Sequence, residues 1–289
     1  MPIRKIIVPI DGTGATELSL DTAFQLARDL EAHVEVVHAR PDPRLAVPLL
    51  GEGMSGAMIE ELIDLTEKES AARAGAARDM FDRACETGGM ALSDTPPTAG
   101  PTTGPTAGWV EVTGAEDDVL VRRGRLADLL VVARPTEHGD APSAVSFNAA
   151  VFESGRPVLV APTEAVASVG RRVAISRNGS AEAARAVSAA MPVLKRAESV
   201  RILNVDSDDT AGEGAASLTE FLGWHGVSAE SRTISADQGP VGAAIIAACG
   251  DADLLVMGAY THSRLLQLIL GGVTRHVLEN AKLPLLMAH

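Results

Sequence analysis

Aromatic residues and cysteines are scarce in this sequence. Of its 289 residues, 3% are aromatic, and the two cysteines, Cys85 and Cys249, lie far apart and form no Cys-x-x-Cys motif. This pattern argues against a disulfide framework and against a zinc site, and it fits a reducing cytoplasm. We expect both cysteines to be small buried hydrophobes, the alternative being redox sensors.

Long apolar runs are also missing. No run reaches the roughly 18 residues that a membrane-spanning helix needs. The N-terminal segment, MPIRKIIVPIDG, passes from a short apolar run straight into a turn, unlike a signal peptide. We therefore predict a cytoplasmic protein with no membrane partner.

Basic residues are too few to balance the acids, and the formal net charge is -13. Such a surface repels the phosphate backbone of nucleic acids, so we predict no nucleic-acid partner. The charge is uneven, because residues 1–168 hold 26 acids and 14 bases whereas residues 169–289 hold 12 acids and 11 bases. An anionic ligand would meet less repulsion in the second part.

The sequence also lacks a nucleotide-binding P-loop. The stretch SDTPPTAGPTTGPTAG (93–108) has suggestive glycine spacing but no Gly-Lys-Ser/Thr ending. We interpret this Pro/Thr/Gly-rich stretch as a disordered or mobile loop.

An internal repeat is the main feature that the sequence does contain. RKIIVPIDGTGATEL near the N-terminus is matched by RRVAISRNGSAEAAR, so that Asp11 corresponds to Asn178. ADLLVVARP is likewise matched by ADLLVMGAY, and RPVLVAP by LPLLMAH. The repeat predicts two related domains, residues 1–163 and 171–289, joined by the small flexible segment TEAVASVG.

The periodicity of each half predicts strands that alternate with helices. Ile6, Ile7, Val8 and Ile10 form a short apolar run typical of a buried parallel strand. Helix spacing is shown by Leu20, Ala23, Phe24, Ala27 and Leu30, and in the second half by Ala184, Val187, Met191 and Leu194. We predict an α/β fold of two tandem Rossmann-like domains, each with a five-stranded parallel sheet and helices on both faces.

Two features of the first half have more than one interpretation. His38 ends the second predicted strand and either lines a ligand crevice or is a core-edge histidine. Residues 54–86 predict a long helix that either covers the sheet or binds a partner. The apolar stripe of this helix begins with Met58, Ile59, Leu62, Ile63 and Leu65.

The motifs IIVPIDGT and ADLLVMGAYTHSR…LGGVTRHVLENAKLPLLM, together with the duplication, resemble a tandem universal stress protein, that is, two fused UspA-type domains. The resemblance covers both halves apart from roughly residues 40–108. It implies that the two halves pack as a pseudo-dimer. We expect the apolar segments 157–162 and 284–289 to pair antiparallel, since an unpaired edge of that kind invites aggregation.

Nucleotide-binding members of this family carry Gly, two residues, Gly, nine residues, then Gly and Ser/Thr, directly after the fourth strand. In the second half this pattern places Gly258 at the first glycine, Thr261 at the second, Gly271 at the third and Gly272 at the hydroxyl position, with Thr274 two residues later. The first glycine lets the backbone approach a ribose or phosphate. The hydroxyl end lies at a helix N-terminus, where the dipole favours anions.

The resemblance therefore implies an adenine-nucleotide site, for ATP, ADP or AMP, in the second half, with Asn178 where binding members have an acid. Its predicted residues are Ser176, Arg177, Asn178, Val205, Met257, Gly258, Thr261, Gly271, Gly272, Val273 and Thr274. Tight turns and close helix packing are the alternative reason for the glycines. Arg177 either stacks on a base or holds a carboxylate, or it makes a local ion pair.

Other basic residues near this loop have similar alternatives. Ser263 and Arg264, beside His262, either contact a phosphate or belong to a solvated loop. Arg275 and His276 either add positive potential near a phosphate or are exposed helix residues.

The first half departs further from the pattern. Ala133 stands at the first glycine position and no Gly-Gly pair follows, so we expect no nucleotide there although Asp11 is retained. Arg134, Glu137 and His138 fill its loop and resemble an acid/base set, but nothing places them near a nucleophile.

Two functions follow from the resemblance. One is a cytoplasmic stress-response protein that binds an adenine nucleotide weakly in its second half, as a sensor or switch. The other is a ligand-free interaction protein of the same family, with a homodimer as a possible assembly. We do not expect an enzyme, weak ATP hydrolysis aside, because the sequence shows no activated nucleophile, metal set or P-loop lysine.

Overall fold

The structure is a computed structural model that describes most of the chain. The described residues are 2–42, 55–97, 104–135, 141–205, 211–235, 239–259 and 272–289. Within these ranges, none of the helices combines the length and the apolar character needed to span a membrane.

The first half folds into alternating strands and helices. The strands are β1 (Lys5–Pro9), β2 (His33–Arg40), β3 (Ala91–Leu92), β4 (Thr106–Thr113), β5 (Leu129–Val132) and β6 (Val158–Val160). The helices are α1 (Gly14–Leu30), α2 (Gly56–Gly88), α3 (Glu116–Gly124) and α4 (Ala141–Glu153).

The second half repeats this order with a shorter middle. Its strands are β7 (Arg172–Arg177), β8 (Ser199–Val205), β9 (Glu230–Ile234), β10 (Leu254–Gly258) and β11 (Leu285–Ala288). Its helices are α5 (Ala181–Leu194), α6 (Ala211–Trp224), α7 (Val241–Cys249) and α8 (Val273–Asn280). The predicted count of five strands per half is correct for the second half. The first half has a sixth strand, the two-residue β3, at its edge.

All described strands join one sheet in the order β3-β4-β2-β1-β5-β6-β11-β10-β7-β8-β9. Neighbouring strands are parallel except at the centre, where β6 and β11 run antiparallel and Leu159 faces Leu286. These two strands lie in the segments 157–162 and 284–289, whose pairing the sequence predicts. Because each covers the apolar edge of the other, neither edge is open.

Helices cover both faces of the sheet. Along β1, Ile6 and Val8 pack against the layer that contains α1, α2, α5 and α6, whereas Ile7 packs against the layer that contains α3, α4, α7 and α8. This alternation follows from the period of two along a strand. The α/β fold with tandem Rossmann-like halves is therefore confirmed.

The buried face of α5 differs by one residue from the predicted one. Ala184 is exposed, and Ala183 is buried in its place beside Ala186 and Val187. Since residues three and four apart share a helix face, the apolar spacing alone could not distinguish a stripe that begins at 183 from one that begins at 184.

The long helix α2 is present, but the apolar residues predicted near its N-terminus do not cover the sheet. Met58 and Leu65 are exposed, whereas Ala77, Met80 and Phe81 are buried. A helix of 33 residues is about 50 Å long, and a strand of eight residues spans only about 26 Å. The helix is longer than the sheet is deep, so only its C-terminal half lies on the core.

The predicted loop at 93–108 is too long at its C-terminal end. Thr106, Ala107 and Gly108 belong to β4 and pair with β2, with Ala107 beside Val34. The backbone hydrogen bonds that β4 makes to its neighbours outweigh the loop-like composition of the stretch. Residues 98–103 lie outside the described residues.

Both cysteines are buried and free. Burial raises the pKa of each thiol to about 11, so both are protonated at neutral pH. Protonated thiols are poor nucleophiles, which agrees with the prediction of small buried hydrophobes.

A buried ion pair in β2 gives the fold a testable pH dependence. Glu35 is 8% exposed and lies 2.6 Å from Nε of Arg123 and 2.9 Å from Nζ of Lys5. Burial alone would raise the pKa of the Glu35 carboxyl, but hydrogen bonds from Arg123 and Lys5 outweigh it and lower the pKa. The stabilisation is therefore fully present above the unfolded-state pKa, about 4.3, and is lost as the pH falls through the lower folded-state pKa.

We expect Glu35→Gln to lower the free energy of unfolding by about 1–2 kcal/mol at pH 7, because two partly exposed cations lose their shared negative charge and one of its two acceptor oxygens becomes an amino group. The difference from the wild type should shrink below pH 4, as measured by urea denaturation across a pH series. The control is Glu111→Gln in the exposed pair with Arg40, expected to change stability by less than about 0.5 kcal/mol. A difference that is the same at pH 7 and pH 3 would contradict the prediction.

Candidate functional site

The predicted site residues that the structure describes lie at the carboxyl edge of the second half's sheet. Met257 of β10 is the strand neighbour of Ser176 in β7, and Arg177 lies beside Asn204 of β8, one residue before Val205. Both Ser176 and Met257 are buried, so these two side chains belong to the protein core. Outside the described residues are Thr261, His262, Ser263, Arg264 and Gly271.

The turn from β7 to α5 is built by local hydrogen bonds. Gly179 has a φ of 73°, which favours glycine. The Asn178 Oδ1 accepts from the Ser180 amide at 3.2 Å, and the Ser180 Oγ accepts from the Ala183 amide at 3.1 Å and caps the helix. Asn178 thus has a structural role at the position where the resemblance implies a residue facing adenosine.

Asp11 has a similar role in the first half. Its Oδ1 accepts from the Thr13 amide at 2.9 Å and from the Thr16 Oγ1 at 2.8 Å. These bonds order the start of α1, as expected of an acid at a helix N-terminus. The retained aspartate therefore has a structural reason of its own.

Gly258 ends β10 where the backbone of α5 comes very close. A Cβ atom at Gly258 would lie 2.6 Å from the amide nitrogen of Ala183 and 3.0 Å from the carbonyl carbon of Glu182. A side chain at this position would push the N-terminus of α5 away from the sheet. The glycine is therefore required by packing.

Gly272 is the N-cap residue of α8 and has no such constraint. Its φ of -74° and ψ of 158° suit any residue, and a Cβ atom there would lie within 4 Å of no atom of the described residues. Gly272 has no side chain with which to cap this helix end. Val273 and Thr274 form the beginning of the first turn.

Arg177 extends from the end of β7 toward α6. Its guanidinium group lies directly on Gly214, where any Cβ atom would overlap it. The side chain is half-buried, and among the residues that the structure describes it has no hydrogen-bond or ion-pair partner. The sequence reasoning missed Gly214, for which the only signal was a glycine inside the helical pattern AGEGAASL.

The crevice above the sheet differs between the two halves. In the first half a Cβ atom at Gly12 would lie 3.1 Å from the amide nitrogen of Ala77, because α2 packs over the turn. At the matching Gly179 the nearest described atom is Nη2 of Arg177, 3.9 Å away. Among the described residues, the space above Gly179 is therefore empty, whereas the matching space above Gly12 is filled by α2.

His38 is part of the packing in the first half. Its ring is buried, with Nδ1 lying 2.8 Å from the Ile10 carbonyl oxygen, and it stacks on Trp109 with ring centroids 6.0 Å apart. Of the two interpretations, the core-edge histidine is the one that these contacts support.

Arg134 does not belong to an acid/base set, which corrects that interpretation. It is 6% exposed and donates to the carbonyl oxygens of Ala161 (3.2 Å), Leu278 (2.9 Å) and Leu283 (2.7 Å). It thus connects the first half to the second. The physical reason is its position beside β6, where the halves meet; Glu137 and His138 lie outside the described residues.

Arg275 and His276 have contacts of their own on α8. Arg275 lies 2.5 Å from Glu279, and the His276 ring packs on Gly242 of α7, where a Cβ atom would be 2.8 Å from it. A metal centre is not indicated either, since no described group of three or more His, Cys, Asp or Glu residues is arranged to hold one.

The sequence matches the universal stress protein family twice, over residues 2–139 and over residues 171–289. The chain belongs to the universal stress protein family. The double match confirms the resemblance to a tandem member, while the exact boundaries 1–163 and 171–289 stay a prediction. Comparison with curated proteins gives no match.

Solved structures of universal stress proteins share this fold. One from Archaeoglobus fulgidus DSM 4304 has a TM-score of 0.71 and 16% identity, covering 98% of this chain and 95% of that chain. A putative one from Pseudomonas aeruginosa UCBPP-PA14 has a TM-score of 0.54 and 16% identity, covering 98% and 92%. At these identities the likeness establishes the tandem fold alone.

Proposed function

We propose that this universal stress protein acts in the cytoplasm as a stress-response sensor or switch that binds ATP, ADP or AMP in its second half. The observation that carries the proposal is the difference between the two crevices. Among the described residues the second half is open at Gly179, whereas α2 fills the matching space at Gly12. A ligand site in the second half alone is the simplest use of that asymmetry.

The groups around the open crevice favour an anionic ligand. The dipole of α8 adds positive potential at Gly272, its N-cap residue. The near-neutral charge of residues 169–289 opposes a phosphate less than the acidic first part does. These features support phosphate binding at Gly272–Thr274.

The residues of the crevice fit nucleotide binding without rapid hydrolysis best. Among the described residues, the crevice holds no nucleophile paired with a general base, and the guanidinium of Arg177 packs against Gly214 of α6. We therefore propose occupancy by the nucleotide as the signal, with at most slow hydrolysis.

The test is calorimetric titration of the full-length protein with ATP, ADP and AMP, together with Gly272→Asp and Gly272→Asn. Both side chains fit the space that the described residues leave at this position, and both cap a helix well. Each variant should therefore be as stable as the wild type or more so by a few tenths of a kcal/mol. Only the aspartate places a negative charge where the phosphate would lie. We expect one site per chain, with affinity reduced at least tenfold in Gly272→Asp, about 1.4 kcal/mol, and by less than about threefold in Gly272→Asn.

Absence of binding heat and of a thermal shift at millimolar nucleotide would contradict the proposal. It would favour the second candidate, a ligand-free interaction protein of the family. That candidate is supported by the exposed side chains of Met58 (52%) and Leu65 (53%) on the half of α2 that overhangs the sheet. A homodimer through this surface is the partner we would then propose, and light scattering of the purified chain would test it.

A further inference from the structure

A cavity of about 270 Å³ lies where the two halves meet. Leu26 and Leu30 of α1 line it from the first half, and Val169 and Val193 line it from the second. Leu26, Val169 and Val193 are at most 4% exposed, so the floor of the cavity is apolar. Its volume is at the lower end of the range for ligand pockets, which suits a small molecule.

The cavity is distinct from the nucleotide crevice. Arg171 and Glu198 form part of its rim and come directly before β7 and β8, at the amino edge of the second half's sheet. The crevice lies at the carboxyl edge of the same sheet. A strand of six residues separates the two edges by about 20 Å. A ligand in the cavity would therefore leave the crevice free.

The wall between the halves is held in place before any ligand arrives. The Gly170 amide donates to Oδ1 of Asp253 at 3.0 Å, and the Ser168 Oγ donates to Oδ2 of the same carboxylate at 2.5 Å. A Cβ atom at Gly170 would lie 2.3 Å from Cγ1 of Val193, so the segment packs directly on α5. A preformed wall lowers the entropy cost of binding.

Four charged side chains surround the opening, and two of them are unpaired. Arg171 lies 3.4 Å from Glu198 and forms an ion pair with it. Among the residues that the structure describes, Asp29 and Arg196 have neither a hydrogen-bond nor an ion-pair partner. Both line the same cavity, and their charged groups lie farther apart than the 4.0 Å of a salt bridge. Asp29 is also in the last turn of α1, where the helix dipole favours a cation.

We infer that this cavity binds a free α-amino acid with a branched aliphatic side chain, such as leucine. The ammonium group would pair with Asp29, the carboxylate with Arg196, and the side chain would cover the apolar floor. A fatty acid would leave Asp29 without a cation, and an alkylamine would leave Arg196 without an anion. A zwitterion satisfies both groups, and this second ligand goes beyond the proposed nucleotide function.

The experiment is calorimetry of the full-length protein with leucine, N-acetyl-leucine and leucinamide. The first derivative lacks the ammonium group and the second lacks the carboxylate. We expect the wild type to bind leucine at least about tenfold more tightly than either derivative, since each loses one charge-assisted contact. Asp29→Asn should reduce the preference over N-acetyl-leucine to about twofold or less and keep the preference over leucinamide. Arg196→Met should do the reverse.

Two matched variants control for general effects of lost charge. Asp21→Asn on α1 and Lys195→Met beside Arg196 change exposed residues that do not line the cavity. Both should bind leucine as the wild type does. Asp29 and Arg196 are exposed as well, so their variants should fold with an unchanged Tm.

Three results would overturn the inference. No binding heat from leucine, isoleucine or valine at millimolar concentration would remove the site. Leucine binding that both Asp29→Asn and Arg196→Met leave unchanged would place the ligand elsewhere. Equal affinity for leucine and N-acetyl-leucine would replace the zwitterion by a simple carboxylate. The result is independent of nucleotide binding, because a protein that binds no nucleotide could still bind leucine here.

Discussion

Arg134→Met is expected to lower the free energy of unfolding by about 3 kcal/mol. Methionine fills much of the volume of the arginine stem but cannot donate a hydrogen bond, so the carbonyl oxygens of Ala161, Leu278 and Leu283 lose their partner. A buried acceptor without a donor costs about 1–3 kcal/mol. The cost is partly offset, because burial also penalises the guanidinium and lowers the pKa of Arg134 to about 10.

The geometry explains why a single arginine has such a large effect. Two of its three acceptors, Leu278 and Leu283, belong to the second half, so the bonds hold the two halves together. Leu278 lies in the last turn of α8, where the helix dipole favours a cation. Since the pKa is still about 10, Arg134 remains charged at neutral pH and keeps this interaction.

Urea denaturation and differential scanning calorimetry of the full chain would measure the effect. Arg171→Met is the control, since its pair with Glu198 is exposed, and it should change stability by less than about 0.5 kcal/mol. Arg134→Lys should fall between the two, because one ammonium group cannot reach three carbonyls that are arranged around a planar fork. If Arg134→Met were as stable as the wild type, the arginine would not be what joins the halves.

The fold could be predicted because its signals are local. Ile6, Ile7 and Val8 form one apolar run, and their strand character does not depend on distant residues. The internal repeat predicted the same order of strands and helices in both halves. The apolar character of β6 and β11 predicted that these two strands pair where the halves meet. The prediction for α2 was wrong about which part of the helix is buried. Helix periodicity indicates which face is apolar, but it does not indicate how much of the helix the sheet is long enough to cover.

The contacts at the junction and at the candidate site were less predictable because they join residues that are far apart in the chain. Arg134 is 144 residues from Leu278 and 149 from Leu283, and no spacing rule connects them. The contact of Arg177 with Gly214 likewise depends on how α6 crosses the end of β7. Family spacing located the edge of the sheet correctly, but it could not separate a glycine needed for packing from one that is free to change.

Gly258→Ser is expected to lower the free energy of unfolding by about 3 kcal/mol. The new Cβ atom would lie 2.6 Å from the Ala183 amide nitrogen and 3.0 Å from the Glu182 carbonyl carbon. These are backbone atoms, which cannot rotate away as a side chain can, so the first turn of α5 must move from the sheet. Thermal and urea unfolding would measure the loss.

Gly272→Ser introduces the same atoms at the glycine that occupies the hydroxyl position of the pattern, and it should have the opposite effect. Among the described residues a Cβ atom there meets nothing within 4 Å, and a serine at this N-cap can accept from an amide of α8. Stability should therefore stay equal or rise by a few tenths of a kcal/mol. The serine also restores the hydroxyl of the family pattern, and we expect it to tighten nucleotide binding. A loss of stability in Gly272→Ser as large as in Gly258→Ser would show that both glycines are held by packing. Opposite signs would leave Gly272 as the position where ligand binding, not the fold, decides the residue.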